Sequence, residues 1–287
     1  MDIKRTEINL NLESYKHERH FVEVSIDLLI EVGSYITLLV NLYDNNEFTW
    51  NDDQAVIGRN LVRLYKLIFG VLDNVCDQKG EFVQIFTRLA FECIVNTRYL
   101  IKNYDEKTII SYKLNSLKTD KRLYTEIKSL IAERNNMVLP IEHRMMSSIE
   151  NLFAKSNIDL DMDHKTERNW GNKNFFEKTK SLGLDKLYLS HFSMTSNEIH
   201  GSWSDLMFHH LDTNSDGKFI PTFDWDTPRP QPLTAIAFLV PTLLIEYLES
   251  FFDNTPRQIL TKIEELENRV SLFMELHEQW LKKKPIG

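Results

Sequence analysis

Glycine and proline are scarce in this chain, 9 and 8 residues out of 287. Folds built from strands need such residues at a turn roughly every ten positions, so few turn formers mean few, long elements. Within those elements apolar side chains recur at intervals of three and four, which places them on one face of an α-helix. The fold class this predicts is all-α, an irregular multi-helix bundle. Helices are expected over residues 12–43, 52–77, 81–103, 106–134, 141–155, 174–183, 184–203, 233–252 and 256–283.

Residues 206–232 break the pattern with Asp216-Gly217, the β-prone Phe219-Ile220 and the proline-spaced run to Pro232, which reads as a short irregular or hairpin insertion. Phe219, Phe223 and Trp225 are too apolar for a free linker and are expected to pack back on the helices. The length allows a single helical domain spanning residues 1–287 with a substantial core. The last helix, with Thr255 as N-cap and Pro256 in its first turn, carries Ile259, Ile263, Leu266, Val270, Phe273, His277 and Trp280 at heptad spacing. That seam either packs on the chain's own bundle or forms a homodimer contact in which His277 fixes the register.

The net charge of −8 argues against bulk attraction to nucleic acid or to an anionic membrane. The longest apolar stretch, Leu233 to Ile245, is short for a span and contains Pro241, so it reads as a buried helix. Cys76 and Cys93 sit in apolar runs rather than in a disulfide framework, and the first twenty residues are polar, which together favour a reducing, cytoplasmic setting.

The candidate site comes from polar residues in apolar surroundings. The helix 81–103 is apolar on nearly every side yet carries Arg88, Glu92, Asn96 and Arg98. Charges held in a core need partners, and the segment 184–203 is the expected supplier. Its predicted buried stripe is Tyr188, Phe192, Thr195, Ile199 and Trp203, with Ser196 and His200 one helical turn apart on the flank and Gly201 allowing close approach. Arg88, Glu92, Ser196 and His200 thus form either an anion-binding or acid/base site, or a satisfied network that fixes the register of two helices.

Arg88-x-x-x-Glu92, Trp170-Gly171, Gly183-Leu184, Tyr188, Ser196-x-x-x-His200-Gly201 and the proline-rich crossing into an apolar helix, in this order, resemble a bacterial family catalogued as domain of unknown function 5677, over about Phe82 to Phe252. The resemblance implies a helical domain, frequent on mobile or defence-related loci, with no established activity. The functional expectation is a binding or regulatory domain for a small anionic ligand or a protein partner. The alternative is a metal-independent hydrolase of RNA phosphodiesters using His200 and Arg88.

Other motifs carry less. Asp212 to Gly217 matches the first half of a calcium loop, but Ile220 and Phe223 stand where the closing ligands belong. Glu13, His17 and His20 share a face if residues 12–43 are one helix, a spacing open to a metal, and His209-His210 adjoin the acidic turn. Arg134-Asn135 resembles the Arg-polar pair of helical defence ribonucleases without their following histidine. The basic residues Lys113, Lys118, Lys121, Arg122 and Lys128 read as a solvated face. No phosphate loop, dinucleotide fingerprint or Cys-x-x-Cys is present, so no cofactor and no metal is expected.

Overall fold

A computed structural model describes residues 3–42, 50, 52–161, 167–252 and 257–283. It is all-α, as the spacing predicts, with one small hairpin. Two compact units are described separately, residues 1–102 with 179–287, and residues 103–178.

The first unit is built on long helices: α1 (Glu18–Val40), α2 (Asp52–Cys76), α3 (Gly80–Lys102), and later α10 (Pro230–Phe251) and α11 (Arg257–Lys282). Helix α3 packs against α2 and α10, while α10 also packs on α1 and α11. Phe91, Cys93, Ile94, Val95 and Leu100 of α3 are fully buried, so the helix that is apolar all round lies in the middle. Helix α10 begins with Pro230 in its first turn and holds Pro241 inside; by length and composition it could cross a membrane, but 67% of its most apolar window is buried in the core.

Ile263, Leu266, Val270, Phe273, His277 and Trp280 of α11 are buried, so the heptad seam is covered within the chain. Tyr15 and Phe21 stack on it, and the Trp280 indole donates to the Tyr15 carbonyl at 2.6 Å. Thr255 and Pro256 lie outside the described residues.

Among the described residues two arginine–carboxylate pairs cross this core. Arg269 donates to both Glu31 oxygens, at 2.9 and 2.5 Å, and to the Thr6 carbonyl at 2.8 Å; the Thr6 amide in turn donates to Glu31 at 2.8 Å. Arg98 grips Glu246 in the same forked way at 2.8 and 2.5 Å. The core charge on Arg98 is therefore met by α10 rather than by the segment 184–203.

The first helix starts at Glu18, not Leu12. Asn11 instead caps a single 3-10 turn over Leu12–Ser14, leaving Tyr15 free to enter the core. This dissolves the face proposed for Glu13, His17 and His20: Glu13 lies in that turn, His17 precedes α1, and His20 Nδ1 accepts from the Lys16 amide.

The predicted helix 184–203 is also broken. α7 (Asp185–Tyr188) runs into a π turn over Leu189–Ser193, then α8 (Ser196–His200), Gly201, and α9 (Trp203–Asp205). Thr195 and Ser196 hydroxyls bond back to the carbonyls of His191 and Phe192, a competition that disfavours regular helix. Of the predicted buried stripe only Thr195 is buried; Tyr188 and Phe192 are half-buried, and Ile199 and Trp203 are exposed.

Strands β1 (Leu211–Thr213) and β2 (Phe219–Pro221) pair antiparallel with Asp212 opposite Ile220. The Asn214 side chain accepts from the amides of Asp216 and Lys218, so the calcium-like residues form a hairpin turn. Trp225 packs on Phe82 at 5.0 Å, but Phe223 is 91% exposed, contrary to the expectation for all three aromatics.

In the second unit α4 (Glu106–Glu133), capped by Asp105, packs on α5 (Pro140–Lys155) through Leu117, Tyr124, Ile149 and Phe153. Trp170 meets Tyr112 edge-on, and Glu167 is bonded by Ser111 and Asn172, which hold its carboxyl below the usual range.

Candidate functional site

Helix α3 presents Arg88 toward the broken segment that follows α7. Its Nε–H donates to Ser196 Oγ at 3.1 Å, and its guanidinium carbon lies 4.3 Å from the centre of the Phe192 ring. One helical turn on, Glu92 sits 3.7 Å from Nη1. The Ser196 hydroxyl donates its own proton to the Phe192 carbonyl at 2.6 Å, so its oxygen receives Arg88. With the Arg88 side chain only 12% exposed, a directional bond, an aromatic face and a carboxylate offset the cost of burying it.

The structure therefore joins Arg88, Glu92 and Ser196 as the sequence suggests. His200 is exposed and makes no hydrogen bond or ion pair with them. Gly201 follows it at φ 59 with open space around its Cα; the glycine is needed for the left-handed end of α8, not for close approach.

The histidine that does reach α3 is His191. Its ring lies 5.8 Å from Phe91, its Nδ1 contacts Ser190 Oγ at 2.8 Å, and burial pulls its pKa down. It was missed because an imidazole beside Phe192 has no distinguishing spacing. Among the described residues Glu92 is the cluster's single carboxylate, and no metal set is formed around Arg88.

Chemically, this cluster holds a cation in place. Among the described residues nothing in it supplies a base directed at a nucleophile: Ser196 is turned to a backbone carbonyl, and His200 has no orienting partner there.

A cleft of about 900 Å³ opens elsewhere in the same unit, lined by the start of α1, the end of α2, residues 226–229 and 231 of the proline-rich crossing, and Leu281 of α11. Its charged residues are Glu18, Arg19, Glu23, Asp226 and Arg229. Glu18 pairs with His277 at 3.2 Å, Arg19 with Glu23 at 3.4 Å, and Asp226 with His209 at 2.6 Å. Arg229 is exposed and has no ion pair among the described residues. Sequence reasoning had no means of finding this cleft, since its walls come from segments far apart in the chain.

No curated protein and no solved structure matches the chain. A family model matches residues 54–219, more than half of the sequence, beginning earlier and ending earlier than the span over which the resemblance was read. The match contains Arg88, Glu92, Ser196 and His200, and by its extent the chain belongs to DUF5677, a family of unknown function.

Proposed function

We propose that this chain is a helical binding domain that takes a small anionic molecule in the cleft beside Arg229. The observation that carries the reading is the charge pattern on the cleft walls. Arg19 pairs with Glu23, and Glu18 and Asp226 each face a histidine nitrogen, which leaves the Arg229 guanidinium as the cleft's cation without an ion pair among the described residues, its charge and forked donors available to a phosphate or carboxylate. The cleft volume of about 900 Å³ lies within the range of small-molecule sites.

The Arg88 cluster is the weaker candidate for that role, because its guanidinium is already engaged on three sides. The hydrolase alternative has less support still, since His200 has no contact with the clamp that would stabilise a phosphoryl transition state.

Thermal shift with orthophosphate, pyrophosphate, citrate and adenosine monophosphate tests the reading. At least one should raise the melting temperature of the intact chain in a saturable way, and Arg229→Ala should remove the effect. A saturable shift unchanged in Arg229→Ala, or none with any of the four, would overturn it.

A further inference from the structure

Helix α3 opens with Gly80-Glu81-Phe82, and this tripeptide runs against Trp225-Asp226 of the crossing segment. The Gly80 amide donates to the Asp226 carbonyl at 2.8 Å, and a Cβ on Gly80 would stand 2.4 Å from that same oxygen. Only glycine permits the approach. On the other side Phe82 and Trp225 pack with ring centres 5.0 Å apart. Glu81 and Asp226 are thus brought together by a main-chain bond and an aromatic contact that flank them both.

A third group arrives from the turn before β1. His209 Nδ1 lies 2.6 Å from Asp226 Oδ2, and its neighbour His210 is tied down through its carbonyl, which accepts from the Thr222 amide at 3.1 Å. One ligand-type atom from each of Glu81, His209 and Asp226 lies within 4.8 Å of the other two. Donors around an ion bonded at ~2.1 Å stand roughly 3–4 Å apart, so small side-chain rotations would seat all three on one cation.

The burial of Glu81 points the same way. The residue is 7% exposed, and its carboxylate has no hydrogen bond or ion pair among the described residues. The start of α3 favours one negative charge through the helix dipole. It gives no reason for a second carboxylate and an imidazole to converge there from another segment. A cation would, since it gives the Glu81 carboxylate a partner and gives the facing Asp226 oxygen and His209 nitrogen a shared one.

We infer that Glu81, His209 and Asp226 form a site for one divalent first-row metal ion. One imidazole and two carboxylates suit ions of the manganese to zinc class and leave coordination positions for water or a ligand oxygen. Asp226 also belongs to the cleft wall, but the site requires no anion and stands or falls apart from the binding reading above.

The test uses the intact chain, stripped with chelator and titrated calorimetrically with Mn²⁺ and with Zn²⁺ in the absence of any anionic ligand. One equivalent should bind, Zn²⁺ more tightly than Mn²⁺, with release of protons and a rise in melting temperature. Asp226→Asn and Glu81→Gln, which keep the side-chain shapes, should each weaken binding at least tenfold, whereas His17→Ala with His20→Ala should leave it unchanged. Melting of each variant in chelator confirms that it is folded. Absence of a stoichiometric site in the wild-type chain, or equal affinity in folded Asp226→Asn and Glu81→Gln, would overturn the inference. Metal binding without any anion effect at Arg229 would support it while removing the cleft reading.

Discussion

Replacing Arg269 with methionine keeps much of the apolar stem and removes the guanidinium that joins α11 to α1 and to the N-terminal segment. The lost contacts are two charged bonds to Glu31 and one to the Thr6 carbonyl. What remains is a Glu31 side chain 2% exposed, holding a carboxylate bonded only by the Thr6 amide at 2.8 Å. Burial would depress the guanidinium's pKa, but bonding and charge from Glu31 raise it overall. Breaking such a pair by removing one partner costs about 3–5 kcal/mol, a large share of the ~5–15 kcal/mol that holds a domain folded. Urea unfolding followed by circular dichroism and by tryptophan fluorescence should show that loss, with agreement of the two probes checking that one transition is being measured. The double variant Glu31→Leu with Arg269→Met should recover at least ~1 kcal/mol, because the stranded charge is gone. A single-variant loss below ~1 kcal/mol, or a double variant less stable than the single one, would refute the reasoning.

Other outcomes follow from the same contacts. Cys93 is buried, bonded to the Asn60 carbonyl, and pushed up to about 11, whereas Cys76 is exposed, so a thiol reagent at neutral pH should label one cysteine in the folded chain and two after denaturation. Burial lowers the pKa of His277, against the opposing pull of Glu18, and also that of His191. The folded state then binds fewer protons than the unfolded one, so stability is full above about pH 6.5 and falls as pH drops toward the depressed folded values; the urea midpoint measured between pH 7.5 and 5 should show this, less steeply in His277→Gln. His200→Ala should change stability by no more than ~0.5 kcal/mol, as an exposed side chain without partners among the described residues, and Arg88→Ala should cost about 2 kcal/mol through lost bonding and stacking. Equal losses in these two variants by thermal melting would contradict the placement of His200.

Periodicity revealed what packing alone decides. The all-round apolar character of residues 81–103 marked the central helix, and the heptad spacing of α11 marked the residues that the chain buries. The pairing of Arg88 with Ser196 was legible too, because a charge in that setting demanded a polar neighbour and few segments offered one. The break after Tyr188 was not: Ser190, Thr195 and Ser196 turn hydroxyls back to the main chain, a local choice that the three-four apolar spacing does not record. Nor could sequence distance show Glu81, His209 and Asp226 meeting, since their approach depends on the missing Cβ of Gly80 and on the hairpin between β1 and β2.

On the proposed reading the two arginines have different work, Arg88 holding α3 to the segment after α7 and Arg229 receiving a ligand. Calorimetric titration of pyrophosphate into the wild-type chain, Arg229→Ala and Arg88→Lys tests it most directly. Saturable binding that disappears in Arg229→Ala and persists in folded Arg88→Lys is the predicted result. Binding that survives in Arg229→Ala but is lost in folded Arg88→Lys would contradict the account and return the ligand to the cluster on α3.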